Sequence, residues 1–281
     1  MTEREERGTV EGPSGSIAWR RFGEGPPLLM VNGFTGSKET WGPIFLDSLA
    51  GGATVICADL RGIGESTGDL DALSVGSMAT DMEALLDGLG VGRVDLLGWS
   101  MGGFIVQELA VRIPDRVKAL CLLSTDQGGP DAVRPDPEVT RVMADPSGSP
   151  EEQIRRLLDL ILPAEWAARV YEVAGEQIAG HRGEVSPDLI AAYARAREEW
   201  YALADPPIDR IEEMTAGGLP VLISCGLEDR VVPPINSEMM STRLPGAWLA
   251  PFAGGHHSVM AQEPRRLGDL IGVFLGHPGL R

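Results

Sequence analysis

Two serines in this chain occupy the same five-residue pattern, Gly-x-Ser-x-Gly. One is Gly98-Trp99-Ser100-Met101-Gly102 and the other Gly64-Glu65-Ser66-Thr67-Gly68. A serine hydroxyl attacks a carbonyl carbon only when a base takes its proton and the backbone presents its oxygen to the substrate. Imidazole is the base that works near neutral pH, and the chain has four histidines: His181, His256, His257 and His277. With 36 glycines in 281 residues, the pattern by itself selects neither serine. The elements around it must.

Ser100 follows the apolar run "RVDLLGW" directly and opens the helical pattern "SMGGFIVQELAVRI", which Pro114 stops. Strand, sharp turn and helix form the context of a nucleophile elbow. Such a turn strains the serine backbone and leaves no room for Cβ atoms two residues to either side, where Gly98 and Gly102 stand. The helix that follows aims free N–H groups at a developing oxyanion. Ser66 lies instead in the polar stretch "GESTGDLDALS", with no helix before about Ser74. Ser100 is the expected nucleophile and Ser66 a loop residue.

The rest of the chain repeats this rhythm. "PLLMVNG", "ATVICADLRG", "RVDLLGWS", "VKALCLLST" and "LPVLISCG" read as buried parallel strands, apolar throughout rather than alternating. Helical spacing runs from Val75 to Leu89 behind a Ser74 N-cap. Pro233-Pro234 opens a helix to about Leu244, "GAWLAPFAG" is a last strand and "EPRRLGDLIGVFL" a closing helix. "GTVEGPSGSIAWRRFG" reads as an edge hairpin. The expected fold class is α/β, a doubly wound and mostly parallel sheet. From Gln127 to Ala204 no strand is expected, only helical patterns, so residues 127–204 read as a helical cap. Residues 1–126 and 205–281 then form the two parts of the core.

Arg and Lys number 24 against 41 Asp and Glu, a formal charge of -17. Such a surface repels phosphate backbones and anionic lipid, which argues against nucleic-acid and membrane partners. The opening "MTEREERGTV" has no apolar stretch and no run is long enough to span a bilayer. Cys57, Cys121 and Cys225 each lie in a strand-like run, without a C-x-x-C pair, as buried free thiols do. A cytoplasmic location and a small-molecule substrate are expected. One chain does not distinguish a monomer from a homodimer.

These residues together resemble the α/β-hydrolase fold superfamily, in its serine-nucleophile branch with a helical cap, over essentially the whole chain. "LLMVNGFTGSKETW" is similar to the family's first landmark, with Asn32 where a His is usual, and places one oxyanion N–H at Phe34. Asn at this position resembles the enol-lactonase branch. "DLRGIGES" matches the family loop Asp-x-Arg-Gly-x-Gly-x-Ser, which accounts for the second pattern at Ser66. "CGLEDRVVP" matches Gly-x-x-Asp-x-x-x-Pro and implies that Asp229 is the acid; Glu228 falls out of register, and Asp126 is where some relatives carry it instead. "GGHHSVMAQEP" resembles the catalytic His loop, in which Pro stands seven residues after His; register from Pro264 implies His257, with His256 as the alternative base. His181 and His277 read as surface residues.

The implied chemistry is hydrolysis of a carboxylic ester or lactone through an acyl-enzyme, by Ser100, His257 and Asp229, with the oxyanion held at Phe34 and Met101. Trp99, Trp200 and Tyr201 are candidate substrate contacts, and Trp166 adds to an apolar site, although such cap residues also serve as packing. Neither a cofactor nor a metal is expected: no carboxylate–His cluster has ligand spacing, and "RGIGES" lacks the third glycine of a dinucleotide loop. The same triad supports a cofactor-free perhydrolase or haloperoxidase-like activity, or C–C bond hydrolysis. A non-catalytic binding or signalling protein is disfavoured because no triad position is substituted. Dehalogenase and epoxide hydrolase readings are disfavoured because those relatives carry Asp where Ser100 stands.

Overall fold

The computed structural model describes residues 5–276 except 184, without the side chains of residues 177 and 181–183. A hairpin of β1 (Glu6–Glu11) and β2 (Ser16–Phe22) leads into β3 (Pro27–Val31), α1 (Pro43–Ala50) and β4 (Thr54–Ala58). Next come α2 (Val75–Gly88), β5 (Val94–Trp99), α3 (Met101–Arg112) and β6 (Val117–Leu123). Helices α4 (Pro137–Ala144), α5 (Pro150–Ile161), α6 (Ala164–Gly183), α7 (Pro187–Tyr201) and α8 (Ile208–Ala216) intervene before the sheet resumes. The chain then runs through β7 (Val221–Gly226), α9 (Ile235–Arg243), β8 (Trp248–Phe252), α10 (Val259–Gln262) and α11 (Pro264–Leu275).

The eight strands form one sheet in the order β1-β2-β4-β3-β5-β6-β7-β8. Strand β2 runs antiparallel to both neighbours and every other pairing is parallel. The mostly parallel α/β fold is therefore present. Continuous apolar runs follow from it, because each central strand is covered on both faces. In β3, Leu29 and Val31 join the core shared with α2, α3 and α7, while Leu28 and Met30 join the one shared with α1 and α11. In β6, Leu120 and Leu122 face the first core and Cys121 and Leu123 the second. All three cysteines are buried and unbridged, and burial pushes the Cys57 thiol up to about 12.

Local chemistry sets the helix starts. Ser74 caps α2 in a capping box with Ser77, and Ser149 does so for α5 with Glu152. Ser186 caps α7 ahead of Pro187. Three helices carry no such signal and were not expected: α1, α8 and the four-residue α10. Helix α1 has no side-chain cap, and its buried residues, Phe45, Leu46, Leu49 and Ala50, fill a segment too short to show a period. Helix α8 buries only Ile208, Ile211 and Thr215.

Between β6 and β7 the packing is not uniform. Helices α4 and α5 pack over the chain after β7, with Val139, Met143 and Leu160 against Val231 and Val232. Helices α5 and α6 form a small cluster of their own, which includes Trp166. Helix α7 instead shares the main core through Leu189, Tyr193, Ala196 and Trp200. Among the described residues no helix is long and apolar enough to cross a membrane.

Candidate active site

Ser100 stands at the junction of β5 and α3 with φ 56 and ψ -126, outside the regions a non-glycine residue prefers. Holding a serine there costs on the order of 1–3 kcal/mol, and the surrounding structure must impose it. Its N–H donates to the Leu123 carbonyl at 2.9 Å, and the Thr125 hydroxyl donates to the Ser100 carbonyl at 2.8 Å. The flanking glycines allow the close approach. A Cβ on Gly102 would lie 2.1 Å from the Val31 carbonyl oxygen, and one on Gly98 would lie 2.4 Å from that of Gly102.

Asp229 and His257 come from loops after β7 and β8, and the structure brings them together. Gly226 lies against Gly255, where a Cβ would meet the Gly255 oxygen at 2.2 Å, and the Glu228 N–H donates to the same oxygen at 2.8 Å. The two loops therefore run in contact. Asp229 Oδ2 lies 2.8 Å from His257 Nδ1, with both side chains buried. Its Oδ1 accepts from the N–H groups of Val231 and Val232 at 2.8 and 2.9 Å, which fixes the carboxylate plane. Trp99 Nε1 donates to the His257 carbonyl at 2.9 Å, with the two rings 5.1 Å apart.

The remaining titratable candidates sit elsewhere. Glu228 is exposed. His256 is half-buried with its Nδ1 unpaired, and its N–H donates to Gln262. His181 lies on the backbone of α6, its side chain outside the described residues, as is all of His277. Asp126 is fully buried and accepts from Trp200 Nε1 at 2.8 Å, the Gly128 N–H at 2.9 Å and the Tyr201 hydroxyl at 3.1 Å. Ser66 is also buried, its hydroxyl donating to the Asp59 carbonyl and accepting from the Ala18 N–H.

A small pocket opens beside Ser100, lined also by Phe34, Met101, Tyr201 and Arg197. Asn32 braces the loop that carries Phe34: its amide donates to the Ser37 carbonyl, and its Oδ1 accepts from the Gly33 N–H. Among the described residues no group of three or more His, Cys, Asp or Glu is placed to hold a metal ion.

Residues 26–160 match the family model for the alpha/beta hydrolase fold. An uncharacterised protein of Mycobacterium tuberculosis is 31% identical over 273 residues, 92% of this chain and 77% of that protein. The chain belongs to the α/β-hydrolase fold family. It is also 26% identical to a putative carbamate hydrolase, RutD, of Azorhizobium caulinodans, over 95% of this chain and 97% of that one. Among solved structures it resembles a thermophilic esterase from Thermogutta terrifontis, with a TM-score of 0.76 and 25% identity, covering 96% of this chain and 98% of that one.

Three side chains expected at the substrate of this α/β hydrolase take different positions. Tyr201 lines the pocket. Trp200 does not: it is 1% exposed, stacked on Phe104 at 4.8 Å, with its N–H spent on Asp126. Trp99 also stays off the pocket wall, packing between Trp41 and the His257 loop. Trp166 packs between α5 and α6. The residue that sequence reasoning missed is Arg197, which lines the pocket from α7. An arginine in "YARAREEW" reads as the solvated face of a helix; its only signal is its place between Tyr193 and Trp200 on a helix whose neighbouring turns are apolar.

Proposed function

We propose that this α/β hydrolase cleaves a carboxylic ester or lactone of a small molecule through an acyl-enzyme on Ser100. One observation carries the reading: a serine held at φ 56 at the head of α3, in a molecule where a buried histidine is already paired to a buried carboxylate. His257 takes the Oγ proton as Oγ bonds to the carbonyl carbon, and Asp229 holds the imidazole at Nδ1 and stabilises its charge. The oxyanion lies at the N-terminus of α3, where the N–H of Met101 has no acceptor within the helix, and opposite the N–H of Phe34. Collapse breaks the bond to the alcohol oxygen, which leaves with the proton from His257. Water then gives its proton to His257 and attacks the acyl carbon. The acid departs and Ser100 recovers its hydrogen. Acyl transfer to water moves no electrons between redox states, so these side chains suffice.

A fluorophosphonate probe followed by peptide mapping tests the nucleophile, with the label expected on Ser100. A panel of p-nitrophenyl esters, lactones and an aryl carbamate then separates the substrate classes, the carbamate being included because of the likeness to RutD. Peroxide-dependent bromination in acetate buffer checks the perhydrolase alternative. An adduct on Ser66, or none on a preparation that hydrolyses esters, sinks the assignment.

A further inference from the structure

Among the described residues, Arg197 is the one charged residue lining the pocket beside Ser100. Its side chain is 8% exposed, and Nη1 is buried with no hydrogen-bond acceptor. The nearest carboxylate, Glu198, reaches Nη2 only at 3.5 Å and is half-exposed. Glu198 is also shared, since Arg134 holds its other oxygen at 2.8 Å. Asp126, the buried acid that Tyr201 also touches, accepts from Trp200, Tyr201 and Gly128 and not from Arg197. The ring of Phe34, 6.0 Å from Cζ, gives the guanidinium an aromatic flank rather than a counter-charge.

A buried guanidinium with one nitrogen unsatisfied and only a long, shared ion pair is costly, and a bound anion would relieve that cost. Arg197 lines both the inner pocket and an outer groove that is also lined by Arg134, Glu198 and Tyr201. Two guanidiniums and one carboxylate make this mouth net positive on a chain whose formal charge is -17. Local charge opposite to that of the whole molecule marks a place where anions are drawn in.

We propose that Arg197 is a specificity-determining residue that binds a carboxylate on the substrate, so that the favoured esters are half-esters of small dicarboxylic acids or lactones bearing a free carboxylate. This rests on the hydrolase reading above. The planar fork of the guanidinium suits a carboxylate held by two parallel N–H donors, and the mostly apolar lining of the pocket it shares with Ser100 suits a short methylene spacer.

The test compares mono-p-nitrophenyl succinate, glutarate and adipate with neutral p-nitrophenyl alkanoates of matched length. The wild type should favour at least one half-ester over its neutral match by ~10-fold or more in kcat/KM, the size of a charged hydrogen bond. In Arg197→Met that ratio should collapse to about one, while Arg197→Lys should keep part of it. Calorimetry in the Ser100→Ala background adds an arm that needs neither turnover nor a folded Arg197 variant: monomethyl glutarate should bind and dimethyl glutarate should not. A wild type without anionic preference, or a preference that survives in Arg197→Met, overturns the proposal. If no ester is turned over and Ser100 takes no phosphonate, the hydrolase reading fails, and the calorimetric pair still decides for or against the carboxylate site.

Discussion

Two buried aspartates end two neighbouring strands, and they do opposite work. Asp126 follows β6 and Asp229 follows β7; both are sealed from solvent, and both accept backbone N–H groups two residues downstream. Asp229 spends its second oxygen on His257, a group from the far end of the chain that can carry a charge. Asp126 spends its oxygens on Trp200 and Tyr201, the last turn of α7. One acid faces a potential cation and the other faces neutral donors. Burial pushes the Asp126 carboxyl up to about 6, against the pull of its three donors. A strand end supplies an aspartate easily; what that aspartate does is set by what is packed across from it.

Breaking the first pair should have the largest effect. On any ester that the chain turns over, His257→Ala should lower kcat/KM by ~10⁴-fold or more, and Asp229→Asn by on the order of 10³–10⁴-fold. His256→Ala and Asp126→Asn should change it far less. A deep loss in His256→Ala with an active His257→Ala would exchange the two roles.

Asp126 should declare itself in stability rather than rate. Its folded pKa lies above its unfolded value near 3.8, so the folded state holds the proton more tightly. Its contribution is therefore present below about pH 4 and lost as pH rises toward about 6. The wild type should lose on the order of 2–3 kcal/mol from this group across that window, and Asp126→Asn should remove that component. Denaturant melts of both proteins at several pH values give the difference; parallel pH curves would show that Asp126 does not titrate there.

The two serines repeat the contrast on a smaller scale. Ser66→Ala leaves the buried Ala18 N–H without its acceptor and should cost about 1–3 kcal/mol of stability, with phosphonate labelling of Ser100 intact. The smallest change is Trp99→Phe, which removes the hydrogen bond to the His257 carbonyl. A several-fold fall in kcat, equivalent to roughly 1 kcal/mol, is expected, with melting temperature nearly constant. A large drop in melting temperature would make Trp99 a core residue first.

Several elements were legible because their signals are local. A strand buried on both faces writes a continuous apolar run, and a capped helix writes Ser74 or Ser149 ahead of a periodic pattern. Helices α1 and α8 were not legible, since short segments docked by tertiary contacts need neither cap nor period. Trp200 misled for a related reason. An indole in a helix has the same spelling whether it stacks on Phe104 or on a ligand, and only its stacked, 1% exposed position decides.

By itself the sequence determined the parallel α/β alternation, the strained turn at Ser100 with its two obligatory glycines, and a short choice of acids and bases. Those depend on backbone sterics and on burial along one segment, which neighbouring residues encode. Tertiary structure alone decided that Asp229 Oδ2 lies 2.8 Å from His257 Nδ1, that α7 belongs to the main core, and that Arg197 lines the pocket with its Nη1 unpaired. Each of these is a distance between residues far apart in the chain. Charge pairing and desolvation depend on such distances, and no local pattern contains them.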